Sequence, residues 1–262
     1  MSNPDSLPHQ STIVDQFTRQ ARGFAASPAL HADQVVQLVL EAATVGPADR
    51  AIDLACGPGS VACALAEHAA HVVGLDATRA MLDQARALAK RRGLANIEWH
   101  EGSVYAAPYE DGSFDAVTCR FALHHFEDPH RAFTEMVRLA APGGRIVLCD
   151  GIASDDPAKA RAFNAMERRR DPSTVEFRTL DYLRRLFAAT GLGEPATRAF
   201  EVTYLAADLV KASFPQDGDR AGLLALIENS VEGDILGMAA RASGEGVRVT
   251  YHSAILSAIK PI

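Results

Sequence analysis

The stretch RAIDLACGPGS (Arg50–Ser60) decides the fold. Ala51, Ile52 and Leu54 spell a short buried strand. Gly57, Pro58 and Gly59 cannot continue it and force a turn. From Val61 to Ala69 the apolar spacing is that of a helix. Strand, glycine turn and helix together bring backbone N–H groups close to a nucleotide-like ligand.

The spelling from Gly57 to Ala62 also fits the dinucleotide fingerprint G-x-G-x-x-G/A. Asp53 argues against that ligand. It stands at the strand's end, four residues before Gly57, facing the place where a dinucleotide puts its pyrophosphate. Two anions there repel, so a cationic or zwitterionic ligand is favoured. S-adenosylmethionine carries an ammonium and a sulfonium and no phosphate. The segment DLACGPG (Asp53–Gly59) resembles the first motif of class I S-adenosylmethionine-dependent methyltransferases. The closest branch is the one that includes the ubiquinone/menaquinone-biosynthesis enzymes and many small-molecule methyltransferases. The resemblance covers residues 13–150 well and the remainder in outline. It implies a doubly wound α/β fold, with a seven-stranded, mostly parallel, Rossmann-like sheet whose last strand runs antiparallel.

Working outward, HVVGLD (His71–Asp76) reads as a second strand ending in a carboxylate, 17 residues past Gly59. An acid about 20 residues on accepts from ribose hydroxyls in the fingerprint. Asp76 is read as that acid, although a helix N-cap for the helix 77–92 would use the same residue type. Met81, one turn into that helix, lies where the resembled family covers the adenine. After a third strand, NIEWH (Asn96–His100), the family commonly reads G-D-A, and its Asp accepts from the adenine amino group. Ser103 stands there in this chain, with Val104 beside it offering a backbone N–H. A hydroxyl accepts that bond more weakly than a carboxylate.

The fourth strand is Phe114–Cys119, followed by Arg120 and by FALHHF (Phe121–Phe126) at its C-terminal edge. Ligands in open α/β sheets bind beyond such edges. The family has a similar L-H-H, so His124 and His125 are the candidate general bases, with His31 and Tyr182 behind them. Each histidine could equally be structural, bonded to a backbone group. Arg120 is expected to act through its backbone carbonyl, near the methionine end. Upstream, Ile13–Ala25 is an amphipathic helix. The family folds such a segment over the cofactor as a lid, which makes Phe17, Arg19 and Phe24 lid candidates. The resemblance thus implies cofactor contacts at Phe24, Asp53, Ala55, Cys56, Gly57, Gly59, Asp76, Ala77, Met81, Ser103, Val104, Arg120 and His125.

Composition narrows the alternatives. The 262 residues are 48% hydrophobic and 23% charged, an ordinary soluble balance. The net charge of −7 argues against a nucleic-acid partner. Cys56, Cys63, Cys119 and Cys149 form no C-x-x-C pair, so buried thiols in a reducing cytosol are expected, and no zinc site. No run is long enough to span a membrane.

The later chain reads as helices at 157–170 and 180–190, strands at 197–204 and 246–260, and two helices, 206–213 and 220–242, between those strands. The chain is therefore divided into an N-terminal arm with lid helices (1–45), a cofactor-binding core (46–204 and 245–262) and a helical cap (205–244). It is read as a cytoplasmic enzyme that transfers the methyl of S-adenosylmethionine to a small organic metabolite. Use of the bound sulfonium for other chemistry, an NAD-type oxidoreductase and a pure binding module are the alternatives. No N-P-P-Y-type tetrapeptide follows the fourth strand, which lowers the case for a nucleic-acid or protein-glutamine acceptor.

Overall fold

The glycine turn lies where the sheet reverses its order of strands. A computed structural model describes residues 9–26, 33–215 and 217–262. Helices α1 (Gln10–Ala26) and α2 (Asp33–Ala43) come first, and β1 (Arg50–Leu54) then opens the sheet. On one side of β1 lie β2 (His71–Asp76) and β3 (Ile97–Glu101), and on the other β4 (Phe114–Arg120) and β5 (Ala140–Gly151), all parallel. Beyond β5 runs β8 (Gly246–Ile259), antiparallel to it, and β6 (Ala196–Leu205) closes that edge antiparallel to β8. The order is β3-β2-β1-β4-β5-β8-β6. The eighth strand, β7 (Arg241–Ser243), is a short arm on β8 that the sequence reading left out.

The helices connecting these strands are α3 (Ser60–Ala66), α4 (Arg79–Arg92), α5 (Pro129–Leu139), α6 (Pro157–Arg170) and α7 (Leu180–Ala189). Central parallel strands are covered on both faces, so β1 and β2 are buried almost throughout and read as apolar runs. One face packs Ile52, Leu54, Val117 and Ile146 against Phe133, Met136 and Phe187 of α5 and α7. The other packs Ala51, Val72, Ala116 and Val147 against Val39, Val61 and Leu65 of α2 and α3. Helix starts follow their caps: Asp128 accepts from Arg131 N at 2.9 Å with Pro129 behind it, and Asp156 accepts from Ala158 N at 2.8 Å.

A third cluster joins α6 to α8 (Ala206–Lys211) and α9 (Arg220–Glu228), through Phe163, Met166, Leu209, Leu223 and Ile227. Here the sequence reading needs correction. The helix expected over 220–242 ends at Glu228; a single tight turn (Asn229–Val231) follows, the chain is extended at Glu232, and Gly233 and Gly237 beyond it take φ of 76° and 64°. The chain then returns through β7. The stretch Ala141–Gly144, whose Pro-Gly-Gly spelling suits a tight turn, is drawn into β5: Gly143 N donates to Lys260 O and Lys260 N to Gly144 O, at 2.9 and 2.8 Å. Among the described residues no helix is long and apolar enough to cross a membrane, and all four cysteines are buried and free.

Candidate active site

In the strand order, β1 and β4 are neighbours whose connections leave to opposite sides, the switch point at which open α/β sheets bind ligands. Both strands end in a non-glycine residue with positive φ, Ala55 after β1 and Phe121 after β4, each at 52°. Such backbone is strained by about 1–3 kcal/mol per residue and persists where the surrounding structure fixes it. Both residues line one cavity. The walls are Ile13 and Phe17 from α1, Asp53 and Ala55 to Pro58 of the turn, Val61, then Asp76, Ala77 and Met81, Ser103 to Tyr105, and, at and beyond the end of β4, Arg120 to Ala122 and His125 to Glu127.

The turn is pinned by the second strand. Cys56 N donates to Leu75 O at 3.0 Å, and Gly57 N donates to Asp76 Oδ2 at 2.8 Å. Asp76 Oδ1 accepts from Thr78 N, also at 2.8 Å. Each oxygen keeps a lone pair for a further donor. The N-cap of α4 is Thr78, so Asp76 is left as a cavity group locked in place by two backbone bonds. Gly59, at φ 83°, begins α3, and a Cβ there would stand 2.7 Å from Ala85 Cβ and 2.8 Å from Trp99 Cη2. Only glycine lets the turn sit this low against α4 and β3.

Asp53 is buried at the same edge, and Thr118 Oγ1 donates to its Oδ1 at 2.7 Å. Burial dominates its ionisation and pushes the carboxyl up to about 7, against the pull of the Thr118 bond and of the Arg120 guanidinium. Burial raises Asp76 as well, while its two backbone bonds pull it down. Ser103 Oγ accepts from Tyr105 N at 3.3 Å.

The two histidines part company. His124 turns away from the cavity. Its Nδ1 pairs with Asp150 Oδ1 at 2.7 Å, its own N–H reaches Asp150 Oδ2 at 2.9 Å, and its ring stacks on Phe177 at 4.0 Å. His125 lines the cavity, with Nδ1 held by the carbonyl of Ser173 at 3.0 Å, which leaves Nε2 as the nitrogen for a ligand. Phe17 of α1 meets the His125 ring edge-on at 4.9 Å. Burial, reinforced by His124, pulls the His125 imidazole down to about 3, so it is neutral at physiological pH.

The family profile described as "Methyltransferase domain" matches residues 52–148. The chain is 31% identical over 176 residues to the uncharacterized methyltransferase YcgJ of Bacillus subtilis, covering 67% of this chain and 70% of that one. This chain belongs to the class I S-adenosylmethionine-dependent methyltransferases. The demethylmenaquinone methyltransferase of Thermus thermophilus is 42% identical over 119 residues, a match spanning 45% of this chain and 52% of that enzyme. The crystal structure of YcgJ superposes with a TM-score of 0.78 at 24% identity, covering 88% of this chain and 99% of that one.

For this methyltransferase the cavity gathers Asp53, Ala55, Cys56, Gly57, Asp76, Ala77, Met81, Ser103, Val104, Arg120 and His125 of the sequence-based set. Gly59 shapes the turn from below. Phe17 is on the cavity, whereas Arg19 pairs with Asp15 on the exposed side of α1 at 2.8 Å. Tyr182 lies off the cavity, its ring under the Arg178 guanidinium at 4.9 Å. The Phe24 side chain and His31 fall outside the described residues. Tyr105, Phe121, Phe126 and Glu127 complete the walls without having been singled out. The signal for them was adjacency: Tyr105 directly follows Val104, Phe121 follows Arg120, and Phe126 and Glu127 follow His125. Ser173 carried no such signal, because it reaches His125 from 48 residues away.

Proposed function

We propose that this methyltransferase binds S-adenosylmethionine in the β1/β4 cavity and passes its methyl group to a small organic acceptor. The carrying observation is the Asp76 carboxylate, fixed between Gly57 N and Thr78 N on the cavity wall with Asp53 at the same edge. Two buried carboxyl groups suit the ribose hydroxyls and the ammonium, and repel a pyrophosphate. When bound, the cofactor supplies an electrophilic methyl on a sulfonium.

The chain's part is placement. Asp76 takes the ribose, Ser103 Oγ and the Val104 backbone the adenine, and Asp53 the ammonium. Met81 covers the adenine, and Phe121, Phe126 and Phe17 provide apolar walls that exclude water around the acceptor. Orientation of this kind supplies about 7–11 kcal/mol of a barrier when both reactants are well aligned. His125 orients the acceptor through Nε2. An imidazole depressed to about 3 is a poor proton store at neutral pH, so its contribution is a hydrogen bond. Cytoplasmic residence and the cap role of 205–244 belong to the same reading. The test is to incubate the protein with methyl-labelled S-adenosylmethionine and a panel of small acceptors. Acceptor-dependent appearance of S-adenosylhomocysteine and labelled product is expected. Tight binding with no S-adenosylhomocysteine from any acceptor would favour non-methyl-transfer chemistry.

A further inference from the structure

We propose that Asp171 and Ser173 are positioning residues for His125: their turn holds the ring in its Nδ1–H tautomer, so that Nε2 offers a bare lone pair to an acceptor that carries an O–H or N–H donor. The acceptor class rests on the methyl transfer proposed above, whereas the tautomer stands without it.

The turn begins where α6 ends. Asp171 N donates to Glu167 O at 2.7 Å, and Thr174 N donates to Asp171 O at 2.9 Å. Asp171 Oδ1 accepts from Ser173 N at 3.0 Å and from Ser173 Oγ at 2.5 Å. Both residues are buried. Just beyond, Val175 N and Glu176 N donate to His124 O at 2.9 and 3.0 Å. The segment is therefore anchored on α6 at one end and on the backbone of the histidine pair at the other.

Two oxygens of Ser173 meet His125 Nδ1, the carbonyl at 3.0 Å and Oγ at 3.2 Å. A carbonyl oxygen has no proton to give, so that bond exists only if Nδ1 carries one. The Ser173 hydroxyl proton is committed to Asp171, which leaves Oγ as a second acceptor for the same N–H. Burial works against the Asp171 charge, but His125, Arg170 and the Ser173 bonds outweigh it and hold the carboxyl below its ordinary range. As a carboxylate it can only accept. The Ser173 carbonyl also lies 2.8 Å from His9 Nε2, ahead of α1, and its second lone pair takes that bond.

Among the described residues, every hydrogen bond of the His125 ring falls on Nδ1. Nε2 is left to a cavity whose apolar walls include Phe17, Phe121 and Phe126. An imidazole nitrogen without a proton accepts and cannot donate. It pairs with a hydroxyl or an N–H, and it gives nothing to a molecule that has neither.

The test reads the ring directly. Protein labelled with ¹⁵N-histidine is followed by proton–nitrogen correlation NMR at neutral pH, with His125 assigned by its disappearance in His125→Gln. An unconstrained histidine favours the Nε2–H form, so a protonated Nδ1 beside a bare Nε2 is the expected and distinctive result. An Nε2–H form or an imidazolium would overturn the proposal. Asp171→Ala is expected to give a mixture of tautomers, whereas Asp171→Asn, whose amide oxygen still accepts from Ser173, is expected to keep the parent form. An unchanged His125 in Asp171→Ala would refute the positioning role. Should Asp171→Ala not fold, as read by circular dichroism, Ser173→Ala carries the test: a partial shift toward Nε2–H is expected, and none would refute it. The acceptor class is tested on the parent, saturated with S-adenosylhomocysteine, by adding phenol, aniline or toluene. Phenol or aniline is expected to move the Nε2 resonance and to bind about fivefold more tightly than toluene. Movement with toluene, or with neither donor, would overturn the class. Failure of S-adenosylhomocysteine to bind would instead remove the cofactor assignment and leave the tautomer result standing.

Discussion

Asp53 is a buried carboxyl whose charge is set by what lies beside it. Burial holds it near 7, and an incoming ammonium favours the carboxylate. The sign follows. Below about 7 the free site carries a proton that binding must expel, so affinity for S-adenosylmethionine is expected to fall about tenfold per pH unit there. A plateau is expected above it. Calorimetry across pH 5–8 checks this, and Asp53→Asn is expected to flatten the dependence while weakening binding throughout. The histidines give a second contrast. His124→Ala leaves the buried Asp150 without its imidazole partner and is expected to lower stability by about 1–3 kcal/mol. His125→Ala is expected to raise the acceptor KM or lower kcat with less effect on the melting temperature. Thermal melts beside steady-state kinetics would separate the two, and equal kinetic loss in both would refute the division. At this scale the sequence showed the carboxylates plainly, since each ends a strand beside a turn. It could not tell the histidines apart. Which imidazole turns inward depends on Asp150 and Ser173, partners 26 and 48 residues away.

Among elements, the glycine turn and its supports carry the most consequence. Gly74 of β2 pairs with Trp99 of β3, and a Cβ there would stand 2.4 Å from the Trp99 ring. Gly74→Ala is expected to destabilise by about 1–3 kcal/mol through overpacking. Gly59→Ala adds a left-handed φ to a similar clash, and about 2–4 kcal/mol is expected. Urea denaturation measures both, and a neutral Gly59→Ala would contradict the close packing of turn on helix. Helix α1 is tied across the cavity mouth: Phe17 rests on His125 and Gln16 Nε2 reaches Phe214 O at 3.5 Å. Phe17→Ala is expected to speed cofactor release severalfold in stopped-flow measurements, with the melting temperature little changed. Elements with local signals were readable. The Asp-Pro start of α6 and the alternation in β6 fall within a residue of their expected bounds. The stretch 229–242 was not readable. Its apolar residues have helical spacing, and the two left-handed glycines beyond the helix end carry no mark distinguishing them from tolerated ones.

For the whole molecule, the sheet order follows from a simple rhythm of strand and helix up to β5, then from two late strands that close an edge antiparallel. That architecture puts the ends of β1 and β4 side by side, with a carboxylate, a hydroxyl and a guanidinium on one face. The cavity's acidic walls and the net charge of −7 fit a small cationic or zwitterionic ligand better than a polyanion. The walls from β1, β2 and β3 were legible because those residues sit at or just past the ends of short strands whose spacing is local. The walls from α1 and the segment after β4 were not: they meet only in the folded chain, where the Ser173 carbonyl holds His125. The most direct measurement is a calorimetric titration of the protein with S-adenosylmethionine beside an Asp76→Ala variant. Saturable one-to-one binding by the parent, weakened at least tenfold in the variant, is the expected result. Absence of binding by the parent, or equal binding by both proteins, would contradict the assignment of this cavity to the cofactor.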